Sequence, residues 1–152
     1  MSLILELARI AFVLLFLSSG LNHLTKLEAM TGYATYKKLP AAKLGVVLSG
    51  ILLILSSIAI VIGLWVDLAG LALAIFLVLA AFIFHGFWAE TDATAKMNET
   101  IAFFKDLSLA GASIMTYGYA HAAYKMWETG NQLHQPIKIF GWAIYQHIAL
   151  FH

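Results

Sequence analysis

LGVVLSGILLILSSIAIVIGLWV (Leu44–Val66) and LAGLALAIFLVLAAFIFHGFW (Leu68–Trp88) decide the fold. The first stretch has no charged residue, the second has His85 as its only titratable group, and Asp67 alone stands between them. A helix crosses the bilayer core with roughly 20 mainly apolar residues. The pair therefore reads as two consecutive spans joined by a tight hairpin at Trp65-Val66-Asp67. Asp67 is expected to cap the second helix, where a carboxylate accepts an unpaired backbone N–H.

Two further spans flank this hairpin. Leu3–Leu21 is apolar apart from Glu6 and Arg9, and Ile101–Ala120 holds Lys105 and Asp106 near its start. The expected fold class is an all-α membrane protein. Its four-transmembrane-helix bundle occupies residues 1–128, with spans at 3–21, 44–66, 68–88 and 101–120. Composition agrees: 62% of the 152 residues are hydrophobic and 11% are charged, against about 25% charged in a soluble domain. The first span lacks a basic leader and a small-residue cleavage site before a polar mature region, so it reads as a retained helix rather than a cleaved signal.

The connections differ in character. In Asn22–Lys43, Leu27, Met30, Tyr33 and Tyr36 fall at roughly helical spacing, which predicts a short helix at the membrane interface. Ala89–Thr100 is polar and is expected to be the most water-exposed stretch. In the tail, 129–152, the residues Ile137, Phe140, Ile144, Ile148 and Phe151 recur every three or four positions. That pattern predicts a C-terminal interfacial amphipathic helix over Pro136–His152. Small residues four apart (Gly45/Ser49, Ala59/Gly63, Gly70/Ala74, Ser108/Ala112) predict close helix packing.

Several chemistries drop out. The chain has no cysteine, so it has no disulfide, thiolate metal site or dithiol couple of its own. A net charge of +1 without a basic run leaves no electrostatic footprint for nucleic acid. No phosphate-binding glycine loop, nucleophile elbow, H-E-x-x-H or dinucleotide fingerprint is present. The chain does not read as a self-contained enzyme. Lys26, Lys37, Lys38, Lys43 and Lys96 fall on the side opposite the termini, against Lys125 and Lys138 on the other. The positive-inside rule makes the lysine-rich side cytoplasmic.

Four alternating spans turn positions into depths. His23 ends the first helix, His85 and Trp88 end the third, and Lys105 with Asp106 begin the fourth, so all converge on the lysine-rich side. Ionisable groups in a membrane cost on the order of 2.5–3.5 kcal/mol each and usually face the bundle interior in pairs. Adjacent Lys105 and Asp106 point about 100° apart, so one pairs inward while the other snorkels. His85 and Trp88, three apart, are expected to share a helix face, with Asp106 or the Asn22–His23 end within reach of His85. Near the other side, Glu6 and Arg9 suit an intrahelical ion pair. Both clusters have a structural reading, a polar network, and a ligand reading, in which Arg9, His23, His85, Trp88, Lys105 and Asp106 bind a quinone or lipid; His23 and His85 have a third, bracketing a haem iron from different helices, which nothing in the sequence specifies. His121, His134, His147 and His152 lack metal-like spacing, and no metal site or intrinsic cofactor is expected.

The segments RIAFVLLFLSSGLNHL (Arg9–Leu24), PAAKLGVVLSGILLIL (Pro40–Leu55), AIFLVLAAFIFHGFW (Ala74–Trp88) and FFKDLSLAGA (Phe103–Ala112) follow an order that resembles the DoxX-like small membrane proteins. The resemblance covers roughly residues 3–120 and excludes the tail. It implies a four-helix prokaryotic inner (plasma) membrane protein, multi-pass, some of whose relatives are linked to quinone-dependent sulfur oxidation or associate with redox proteins. Arg9, His23, His85, Trp88, Lys105 and Asp106 match the family's polar signature.

The favoured expectation is an accessory subunit of a redox, quinone-linked membrane complex with a quinone or lipid pocket. The alternative is a structural or assembly subunit that docks onto a larger membrane protein complex, or forms a homo-oligomer, without ligand chemistry. Unbroken spans without proline weigh against a transporter.

Overall fold

A computed structural model describes residues 3–128, 138–139 and 142–143, and the described chain is overwhelmingly helical. The helices are α1 (Leu3–Thr25), α2 (Leu27–Tyr36), α3 (Ala42–Ile62), α4 (Val66–Phe84) and α5 (Ala93–Glu128). A single 3-10 turn, Phe87–Ala89, lies between α4 and α5. Among the described residues, three helices are long and apolar enough to cross a membrane: Leu7–Thr25, Ala42–Ile62 and Val66–Ala89, the last counted with its 3-10 turn. The expected span at 101–120 lies inside α5. That 36-residue helix is about 54 Å long at 1.5 Å per residue, but Lys105, Asp106 and a run of serine, threonine and tyrosine dilute its apolar character.

The helices pack as two antiparallel pairs, α1 with α3 and α4 with α5, joined through α3 and α4. Glycine creates both close approaches. A Cβ on Gly20 would sit 2.8 Å from Ile54 Cγ1 and 2.9 Å from the Gly50 carbonyl, and one on Gly50 would meet His23 Cβ at 3.0 Å. A Cβ on Gly70 would lie 2.8 Å from the Ser113 carbonyl and 3.0 Å from the Tyr117 nitrogen. Backbones come this close because apolar burial cannot drive helices together in lipid, whereas van der Waals contact can. Around these contacts Val13, Phe16, Leu53, Ile60, Leu73 and Leu77 form the main core, while a wide belt of exposed leucine, isoleucine and phenylalanine faces outward.

The predicted short helix is α2. Leu27, Met30 and Leu39 pack with Phe84 around Ala34, Ala42 and Val46, and Tyr33 stacks on Phe84 at 5.8 Å. Helix α2 thus covers one end of the bundle. Its link to α3 is tight, with Lys38 (φ 61°) and Ala41 (φ 51°) left-handed on either side of Leu39-Pro40.

Three expectations change. Asp67 is not the cap of α4: Trp65 holds that position in a left-handed conformation (φ 48°), after Gly63 (φ 76°) ends α3. Asp67 lies two residues further in, within the first turn, and is fully buried. The third span does not remain helical to Trp88, since α4 stops at Phe84 and His85 is its C-terminal cap. The tail is extended, not helical, at Lys138–Ile139 and Trp142–Ala143, which pair antiparallel. Ile139 and Trp142 are strand formers. The rest of the expected tail helix lies outside the described residues.

Candidate functional site

The site begins where α4 breaks. With the helix ended at Phe84, the His85 side chain projects between α4, α5 and α2. Its Nδ1 lies 2.7 Å from Glu99 Oε2, and its Nε2 lies 3.6 Å from Asp106 Oδ2. Glu99 and Asp106 are seven apart on α5, two turns along one face, so one helix presents both carboxylates to one imidazole. Each has a lysine beyond it. Lys37 Nζ is 3.4 Å from Glu99 Oε1, and Lys105 Nζ is 3.6 Å from Asp106 Oδ1. The result is a string, Lys37–Glu99–His85–Asp106–Lys105, with cations at its ends, carboxylates inside them and a titratable ring at the centre.

Exposure differs sharply between neighbours in the string. Asp106 is 10% exposed and Glu99 21%, while Lys105, at 54%, reaches outward. The 3.6 Å separations exceed a direct hydrogen bond, so His85–Glu99 is its tight link. For Glu99, partial burial opposes ionisation, but the His85 hydrogen bond and the Lys37 charge outweigh it and hold the carboxyl below its ordinary value. For Lys37, burial is likewise the largest single influence and opposes the charge. Tyr33 and Glu99 together reverse it and raise the ammonium's affinity for its proton.

The string ends in a cavity of about 390 Å³ under α2. His85, Asp106 and Lys105 contribute to its wall from one side and His23 and Ser49 from the other, with Tyr33 of α2 also in the lining. Elsewhere the wall is apolar, including Leu15, Phe16, Leu53, Leu77 and Phe84. His23 Nδ1 is 2.8 Å from Ser49 Oγ across the α1–α3 contact. Small-molecule sites combine these features: a concave, mostly apolar space with a few convergent polar groups.

Four of the six residues singled out in the sequence, His23, His85, Lys105 and Asp106, therefore meet at one cavity. Trp88 does not line it. With α4 ended at Phe84, Trp88 lies in the 3-10 turn and packs with Phe82, Phe87 and Phe103 in an aromatic cluster, 56% exposed. Arg9 lies toward the other end of α1 and is not part of the cavity wall. The side chain of Glu6 lies outside the described residues, as do His134, His147 and His152, while His121 stacks on Tyr117. Among the described residues no three histidine, aspartate or glutamate side chains are placed to hold a metal ion together.

Glu99 and Lys37 were missed as site residues because Glu99 falls in a stretch that reads as water-exposed and Lys37 in one that reads as an interfacial connection. The available signal was spacing: Glu99 precedes Asp106 by seven, and Asp92 caps α5 by accepting the Ala95 N–H at 2.7 Å, so the helix begins well before 101.

The sequence profile of the DoxX family matches residues 4–86. The chain belongs to the DoxX family. Membership agrees with a small membrane protein, and the matched segment holds α1 to α4 with Arg9, His23, Lys37, Ser49 and His85. Trp88, Glu99, Lys105 and Asp106 lie beyond it, so the carboxylate side of this DoxX-family site rests on structure alone. No curated protein and no solved structure matches the chain.

Proposed function

We propose that this DoxX-family chain is a multi-pass protein of the inner (plasma) membrane, with residues 101–120 of α5 as its fourth crossing. In this reading it serves as an accessory subunit of a redox membrane complex and holds a quinone or similar lipid in its cavity. The observation that carries the reading is the cavity itself: an apolar chamber whose polar groups come from α1, α3, α4 and α5. The apolar wall suits a ring and tail. Lys105 supplies a donor for a head group, Asp106 an acceptor, and His85 a contact between Asp106 and Glu99. The fourth crossing is supported by the antiparallel packing of α5 along α4, from Phe82–Phe103 at one end to Gly70–Tyr117 at the other. As a subunit, the chain would position the ligand for a partner that supplies electrons.

The test is direct binding. Purified chain in lipid nanodiscs, titrated calorimetrically with a decyl-chain benzoquinone, is expected to bind. His85→Ala and Lys105→Ala are each expected to weaken binding by about tenfold or more while the helices stay folded. Unchanged affinity in both variants would count decisively against the reading. The second reading, an assembly subunit, is favoured by one observation: both His85 nitrogens already face carboxylates, so the string is self-sufficient as a tie between helices. It predicts lower stability in the His85 variant and no ligand binding by any form.

A further inference from the structure

The hydrogen bonds at the α1–α3 corner of the cavity determine what His23 offers a ligand, on the reading above that the cavity holds one. Ser49 has one hydroxyl hydrogen, and its Oγ donates it to the Val46 carbonyl at 3.0 Å, a back-bond typical of serine inside a helix. His23 Nδ1 lies 2.8 Å from that same Oγ. The hydrogen of the second bond must therefore come from the ring, so Nδ1 is the protonated nitrogen. Among the described residues no carboxylate pairs with His23, and its neighbours in the wall are mainly apolar. The neutral ring is the form these surroundings accommodate. In that form Nε2 carries a lone pair and no hydrogen. The ring's hydrogen-bond partners among the described residues are Ser49 and the Val46 carbonyl, which can only accept, and Nε2 is not enclosed by protein atoms.

We infer that the cavity selects a ligand presenting a hydroxyl to His23 Nε2: a phenol or hydroquinone head on an apolar tail, in preference to the matching carbonyl or ether. A carbonyl oxygen placed there would set lone pair against lone pair and leave two buried acceptors unpaired, whereas a hydroxyl satisfies both. Asp106, on the opposite wall, is a second acceptor of the same preference. Ser49 is a positioning residue, because it acts by fixing which ring nitrogen holds the hydrogen.

The experiment compares a decyl-chain hydroquinone with its dimethyl ether, under anaerobic conditions, on the full chain in nanodiscs. The native chain is expected to bind the hydroquinone at least about tenfold more tightly, and His23→Ala to keep only the smaller part of that preference that Asp106 supplies. Ser49→Ala is expected to narrow the preference by freeing the ring to change tautomer, while Ser49→Thr, which keeps the hydroxyl, retains it. Nitrogen-15 NMR of the ring should show Nδ1 protonated before ligand is added and the Nε2 resonance shifting on addition of hydroquinone. Equal affinity for both compounds in the native chain, or a ring protonated at Nε2 alone, overturns the inference while leaving a ligand cavity in place. No binding of either compound overturns the ligand reading as well.

Discussion

Replacing Gly70 by alanine tests the packing that holds α5 against α4, and its cost follows from the geometry. The added Cβ would lie 2.8 Å from the Ser113 carbonyl oxygen and 3.0 Å from the Tyr117 nitrogen. Both are backbone atoms in the middle of a helix and cannot rotate away. To restore ordinary contact, α5 must withdraw by roughly half an ångström. That loosens the neighbouring layer, where Leu73 and Ser113 are completely buried. Overpacking of this kind costs about 1–3 kcal/mol, offset by up to about 1 kcal/mol because alanine favours helix over glycine. The expected net loss is about 1–2 kcal/mol, a factor of roughly 5–30 in the folded-to-unfolded ratio. Gly118→Ala on α5 is the matched control, since a Cβ there meets nothing within 4 Å. It should be neutral or gain up to about 1 kcal/mol. Equilibrium unfolding in mixed micelles of rising dodecyl sulfate content, followed by circular dichroism, measures both. A Gly70→Ala protein as stable as Gly118→Ala would refute the close approach of α4 and α5.

Two more perturbations probe the site and the topology. Glu99 is more acidic in the folded chain than its ordinary value of 4.5, so the stability it contributes is present above that value and is lost as pH falls through and below it. Glu99→Gln should therefore lower stability near neutral pH by less than about 1 kcal/mol for so open a pair, read as a lower thermal midpoint. The difference from the native chain should vanish in acid, and a difference that grows in acid would exclude this role for the His85–Glu99 link. The cysteine-free sequence allows single-cysteine labelling in sealed vesicles. If α5 crosses, Leu64→Cys and Glu128→Cys should label from one side, and Lys38→Cys and Asp92→Cys from the other, cytoplasmic side. Labelling of Glu128→Cys together with Asp92→Cys would remove the fourth crossing.

Long apolar runs, broken in α1 only by Glu6 and Arg9, made α1, α3 and α4 legible from sequence, because span length is set by bilayer thickness and by little else. The periodicity of Leu27, Met30 and Tyr33 was sufficient for α2. His23, His85, Lys105 and Asp106 could be brought to one end because helix direction alternates, and that requires no knowledge of contacts. What failed depended on where helices stop. Nothing local distinguishes Phe84 from the apolar residues before it, yet the break there turns His85 into the cavity and Trp88 out of it. The same uncertainty at the start of α5 hid Glu99, whose role appears only once Asp92 begins the helix. Gly20 and Gly50, which lie in different helices, could not be paired from spacing within one segment. Gly70 was marked as a packing residue by its own stripe with Ala74, but its partners Ser113 and Tyr117 were not.

The most direct measurement is native mass spectrometry of the chain extracted gently from its own membrane, together with whatever remains bound to it. A ligand cavity predicts a small lipophilic species on the native chain, identifiable by its mass on release, and its loss from the folded His85→Ala variant. A native chain that repeatedly emerges without any such species, from membranes rich in quinone, would contradict the assignment of this cavity as a binding site.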